Sequence, residues 1–167
     1  MVFSTLDVVG RMRGNTYMKQ WTKSIEISAS IEEVWLYVDG DLEKMQQLMP
    51  NVVSNTPVNI TDTKVGSIYL QEYREGNRTE TYNVHVDEYE NTPEFKKMKV
   101  SFTLAKLFDI TAAYEVLAIT ESSTKLTYTT SNRALKWFVH LFLFFASEKP
   151  IMKFVEHVKQ VVEGNRD

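Results

Sequence analysis

The side chains in this chain that could do chemistry are few and scattered. His85 and Asp87 stand one residue apart, a spacing that points both the same way from a strand. They could offer two ligands to a metal. However, the sequence brings no third ligand near, and the face they share is polar, so a solvated pair is the plainer reading and no metal is expected. Glu72 alternates with Ile68 and Leu70, which puts a carboxylate on an apolar strand face. Buried there, it needs a partner or a raised pKa. Arg74 could supply the counter-charge, and the alternative is a strand end open to water. His140 interrupts an apolar run and reads either as a hydrogen-bonded core histidine or as a cavity acid or base. His157 follows Glu156 on the outer side of a helix and reads as solvated. Tyr82, Tyr114 and Tyr128 fall on one face of their strands, where a phenol needs a hydrogen-bond partner. The chain holds no Gly-x-Ser-x-Gly, no glycine-rich phosphate loop and no His-Glu-x-x-His. It has no cysteine, which excludes disulfides, thiolate catalysis and cysteine-ligated metals. A catalytic role would fall to Glu72 or His140 as general base.

The elements that position these residues follow from hydrophobic period. Trp21, Lys23, Ile25 and Ile27 alternate with polar residues as a half-buried strand. Ser30-Ile-Glu-Glu matches a capping box, and Ile31, Val34, Trp35 and Val38 form the buried stripe of a short helix. Trp35 is therefore expected in the core. Asp41 can cap a second short helix ending before Pro50. Strands are expected over 51–60 (irregular, with Pro57), 65–74, 78–89, 95–103, 110–120 and 125–132, with Glu75-Gly76-Asn77 as a tight hairpin connection.

Alternation assigns an inner, apolar face to Ile68, Leu70 and Glu72; Tyr82, Val84 and Val86; Met98, Val100 and Phe102; Ala112, Tyr114, Val116 and Ala118; Leu126 and Tyr128. Tyr69, Gln71 and Tyr73 go with the outer face, beside His85 and Asp87. A sheet dry on one side only needs a cover. The cover is read in residues 133–164. From Pro150 onward Ile151, Met152, Val155, Val158, Val161 and Val162 recur at helical spacing, with Ser147 as the expected cap and Gly164 as the stop. Residues 134–146 are apolar all round, which suits core, an oligomer interface or the wall of a cavity. At about 13 residues the stretch is well short of the ~20 needed to span a bilayer.

Composition bounds the rest. Hydrophobic content of 43% with 25% charged residues is globular, and 167 residues suffice for one domain. A net charge of −3 without a basic block argues against nucleic acid as a partner. Residues 1–17 keep no period and read as a weakly ordered extension, or as lying before a true start at Met18, with a single domain over 18–167. No secretory signal is read in them, and a cytoplasmic location is expected.

The stretches IEISASIEEVWLYVDGDLEKMQQLMP and LKWFVH with FVEHVKQVVEG resemble the START-like, or SRPBCC, superfamily, whose small bacterial members are called polyketide cyclase/dehydrase-like. The resemblance runs from Trp21 to Gly164. It implies an α+β helix-grip fold: a curved antiparallel sheet of six or seven strands around a long C-terminal helix, with two short helices after the first strand. It also implies a cavity for lipids, sterols, hormones, polyketides or aromatic molecules; no cofactor is expected. The expected cavity lining is Leu70, Glu72, Tyr82, Met98, Phe102, Tyr114, Tyr128, Phe138 and Phe142. Three roles follow: binding an apolar small molecule without chemistry, a cyclase- or dehydratase-type reaction using Glu72 or His140, and accessory work at a membrane surface through residues 134–146. The first is preferred, because few titratable groups converge. The third lacks the cationic face such helices carry.

Overall fold

A computed structural model describes residues 17–136, 138, 139, 143 and 146–165. All but Tyr17 of the expected N-terminal extension lies outside the described residues. The elements run β1 (Met18–Ile27), α1 (Ile31–Val38), α2 (Leu42–Leu48), β2 (Val52–Asn59), β3 (Ile68–Glu75), β4 (Arg78–Asn91), β5 (Phe95–Leu104), β6 (Phe108–Thr120), β7 (Ser123–Ala134) and α3 (Lys149–Gly164). This is the expected α+β helix-grip architecture. The strands form one antiparallel seven-stranded sheet in the order β1-β7-β6-β5-β4-β3-β2. Neighbours from β2 to β7 are joined by hairpins, while β1 crosses to pair with β7, Ile25 opposite Leu126. Register shifts after Val52, Pro57, Val86 and Ala118 mark bulges or irregularities, and bulges bend strands and tighten twist. The sheet is therefore curved, and its hollow side takes the helices.

Local chemistry explains the helix boundaries. At α1 the Ser30 hydroxyl accepts from the Glu33 N–H at 3.3 Å, and the Glu33 carboxylate accepts from the Ser30 N–H at 2.7 Å. Gly40 lets α2 follow directly: a Cβ there would sit 1.9 Å from the Leu36 carbonyl oxygen. Asp41 caps α2 through the Lys44 N–H at 3.0 Å. At α3 the expectation needs correction. Arg133 and Ala134 belong to β7, and the cap is Glu148, not Ser147, with Pro150 in the first turn. The Glu148 side chain makes no capping hydrogen bond and instead reaches the buried Lys23 ammonium on β1 at 3.0 Å.

The main core lies between the sheet and the three helices. Ile27, Val34, Val116, Leu126, Val155, Val158 and Val162 are fully or almost fully enclosed. Trp35 is buried in this cluster, as expected, although its indole N–H has no hydrogen-bond partner among the described residues. His157 is not simply solvated: its Nε2 lies 2.9 Å from the Gln47 carbonyl oxygen and ties α3 to α2. A smaller cluster gathers Val139 and Leu143 against Ala134, Leu107 and Phe108. Part of the apolar stretch 134–146 thus packs as local core on the β5–β6 hairpin, while Phe138 is 46% exposed. Among the described residues no helix is long and apolar enough to cross a membrane.

Candidate ligand cavity

A cavity of about 310 Å³ lies between the hollow of the sheet and the α1–α2 corner. Its floor comes from alternate residues of the central strands: Val84 and Val86 of β4, Met98, Val100 and Phe102 of β5, Ala112 and Tyr114 of β6, Tyr128 of β7. Met45, Leu48 and Met49 of the α2 segment cover it. Tyr82, Met98, Phe102, Tyr114 and Tyr128 therefore line the cavity, as read from the sequence. Phe138 is not among the lining residues, and Phe142 and His140 lie outside the described residues. Among the described residues the cover comes from α1–α2, while α3 supports the floor through Phe154, whose ring lies 4.7 Å from that of Tyr128 and 6.3 Å from that of Tyr114; much of the stretch 134–146, also expected as cover, lies outside the described residues.

The largest correction concerns β3. Leu70 and Glu72 point away from the cavity, and Tyr69, Gln71 and Tyr73 point into it. The cause is the hairpin. Only Gly76 and Asn77 separate the paired residues Glu75 and Arg78, so odd positions of β3 face even positions of β4: Gln71 pairs with Tyr82 and Tyr69 with Val84. Paired residues share a face, and a one-residue change of register would reverse every side chain. With Tyr82 and Val84 inside, Leu70 and Glu72 must be outside. Leu70 is 39% exposed, and the Glu72 carboxylate accepts a hydrogen bond from Ser54 on β2 at 3.0 Å. Glu72 is thereby removed from the candidate acids and bases of the cavity. A second reversal follows the irregularity after Val86. It brings Tyr89 to the inner side opposite Met98, a residue the alternation had not selected.

Two polar groups interrupt the apolar lining. The first is Gln71, whose Oε1 accepts from the Tyr82 hydroxyl at 2.9 Å. Its Nε2 meets two weak acceptors, Asn55 Oδ1 at a long 3.4 Å and the thioether of Met45 at 3.5 Å. The second is at the end of α1, where the Asp39 carboxylate pairs with Lys64 and accepts from the Tyr89 hydroxyl at 2.7 Å. Lys64 also lies 4.9 Å from the Tyr89 ring centre. Partial burial works against the Lys64 ammonium, but its bond to Asp39 and the field of that carboxylate outweigh this, and its pKa rises. Burial raises the pKa of Tyr89, with Asp39 adding to the effect. Burial, then Tyr73 and Glu80, push Tyr82 up to about 12. Burial also raises Tyr114 and Tyr128, whose rings lie 5.0 Å apart.

His85 and Asp87 lie on the opposite side of the sheet, over a broad open hollow of about 1040 Å³. Asp87 accepts there from Ser101 at 3.0 Å. Among the described residues no cluster of three metal-ligating side chains forms.

The model of the family described as "Polyketide cyclase / dehydrase and lipid transport" matches residues 18–163. The chain belongs to this family. Its match covers every strand of the sheet and almost all of α3, which agrees with the resemblance read from the sequence. Among solved structures, this family member is similar to norcoclaurine synthase from Thalictrum flavum in complex with dopamine and hydroxybenzaldehyde, with a TM-score of 0.62, 17% identity, and 98% of this chain and 99% of that one covered. It is similar to the major latex-like protein 151 of Panax ginseng, with a TM-score of 0.62, 14% identity and coverage of 89% and 97%. It also resembles the di-domain aromatase/cyclase BexL of the BE-7585A biosynthetic pathway, with a TM-score of 0.68 and 12% identity, where 87% of this chain covers 46% of the other. At these identities the likeness is one of fold. No curated protein sequence matches the chain significantly.

Proposed function

We propose that this protein binds an apolar small molecule in the cavity between the sheet and the α1–α2 corner, and does so without chemistry. The observation that carries this reading is the make-up of the lining, an apolar hollow in which the cation among the described lining residues, Lys64, is already paired with Asp39. The phenols of Tyr82, Tyr114 and Tyr128 are held neutral well above physiological pH. They can hydrogen-bond to a guest but do not act as bases at neutral pH. Lys64 stays an ammonium and is paired with Asp39, so it offers no free amine for attack on a carbonyl. An apolar hollow with a few fixed polar groups is the form of a binding site. Its volume lies at the small end of such sites, which favours compact guests. The family description names both lipid transport and polyketide chemistry, and norcoclaurine synthase was captured with two small aromatic molecules; both agree with a guest of this size and character.

The test is to purify the protein natively and identify co-purifying molecules by mass spectrometry. Binding of a neutral fluorescent probe is then compared in wild type and Ala112→Phe. Ala112 lines the cavity floor and is buried, so a phenyl ring there should fill the space and weaken binding at least tenfold while the fold persists. Undiminished probe binding would move the site elsewhere. A cyclase- or dehydratase-type reaction is the second reading. The Asp39 carboxylate in the lining favours it, since a base is the first requirement of such chemistry. Turnover of a bound guest that is abolished in Asp39→Asn would establish it.

A further inference from the structure

From the polar contacts of the cavity we infer that its guest is an uncharged molecule carrying a hydrogen-bond-accepting oxygen, and that Gln71 is the residue that selects it. This rests on the binding role proposed above. Gln71 is 9% exposed and sits in the lining beside Asn55, Tyr69 and Tyr82. Its carbonyl oxygen is well served by Tyr82 at 2.9 Å. Its amide nitrogen carries two N–H groups, and the acceptors within reach are poor: an amide oxygen at 3.4 Å and a thioether sulfur at 3.5 Å. Good N–H···O bonds fall between about 2.7 and 3.2 Å. A buried amide donor without a good acceptor is costly, and a carbonyl, ester or ether oxygen on the guest would relieve that cost.

Charge decides against an anionic guest. Among the described lining residues Lys64 is the one cation, and Asp39 already pairs with it. A carboxylate entering the cavity would lose its water and meet a competing carboxylate instead of a free counter-charge. A purely hydrocarbon guest would fill the space and leave the Gln71 amide with only its weak contacts to Asn55 and Met45. The neutral acceptor is the class that does both.

Three probes of nearly one size and shape separate the cases: 2-acetylnaphthalene, 2-isopropylnaphthalene and 2-naphthoate, titrated by calorimetry at neutral pH into the folded full chain. The acetyl compound should bind about five- to tenfold more tightly than the isopropyl compound, the worth of one net hydrogen bond, and the carboxylate should bind most weakly. Gln71→Met keeps the length of the side chain and removes its donor. It should erase the acetyl advantage while isopropyl binding holds or improves. Glu72→Gln serves as the control. It changes the neighbouring residue of the same strand on the face away from the cavity, where Glu72 accepts from Ser54, and should retain the acetyl preference. Equal binding of the acetyl and isopropyl probes, an acetyl advantage that survives Gln71→Met, or tightest binding of the carboxylate would each overturn the inference while leaving the cavity as a binding site. If none of the three binds the folded wild-type protein, the binding role falls as well.

Discussion

At the scale of single residues, the buried aromatic side chains differ in what their polar atoms meet. Trp35 contributes ring area to the core, and its N–H goes unanswered among the described residues. Trp35→Ala should cost about 3–5 kcal/mol, as large aromatic truncations in cores do. Trp35→Phe should cost much less, because it also removes the unpaired donor. Urea unfolding midpoints of the two variants check this, and equal losses would mean that the N–H is bonded after all. The phenols supply a pH dependence. Unfolded tyrosine ionises near pH 10, whereas Tyr82 holds its proton to about 12 and Tyr114 and Tyr128 are raised by burial. Above pH 10 the unfolded chain therefore binds fewer protons than the native one, and stability must fall as pH climbs through the folded values. Thermal melts between pH 9 and pH 12 should show this decline. In Tyr82→Phe it should be shallower.

Among the elements, the turn residues and the face residues of β3 carried contradictory information, and the turn was right. Ile68, Leu70 and Glu72 alternate as convincingly as Tyr69, Gln71 and Tyr73, so pattern alone cannot choose between the faces. Glu75-Gly76-Asn77-Arg78 could have chosen, because so short a connection fixes the register with β4 and hence the parity. Tyr89 was harder to find, since the irregularity after Val86 leaves no mark in composition. The role of α1–α2 as cavity cover was not legible either. Met45, Leu48 and Met49 read as an ordinary apolar stripe, and only the three-dimensional path sets them over the hollow. What periodicity did carry was the inner face of β4 to β7, where wet and dry sides differ strongly and the register follows from them. The Lys64–Asp39 pair joins the β2–β3 loop to the end of α1 beside the cavity. It is partly exposed, and such pairs contribute about 0–1 kcal/mol. Lys64→Met should thus change the melting temperature little yet speed both entry and exit of a neutral probe in stopped-flow fluorescence. Unchanged rates would show that guests pass by another route.

For the whole molecule, family match and first strand begin together: the match starts at residue 18 and β1 at Met18. Removal of residues 1–16 should accordingly leave the melting temperature within a degree or two. A larger drop would mean that the segment docks on the domain. The pairing of β1 with β7 bears on how the protein is made. Strands β2 to β7 join their neighbours in sequence order, so each can pair soon after it leaves the ribosome. β1 cannot, because Ile27 lies opposite Thr124 and Met18 opposite Arg133. The first strand synthesised must wait, unpaired and with Ile25 and Ile27 uncovered, until nearly the whole chain has emerged. α3, which packs on β1, comes later still. Closing so distant a contact is slow, and in that interval β1 is a free edge able to add to the sheet of another nascent chain. A chaperone that holds the first thirty or so residues during translation would therefore raise the yield of this protein more than one acting after release.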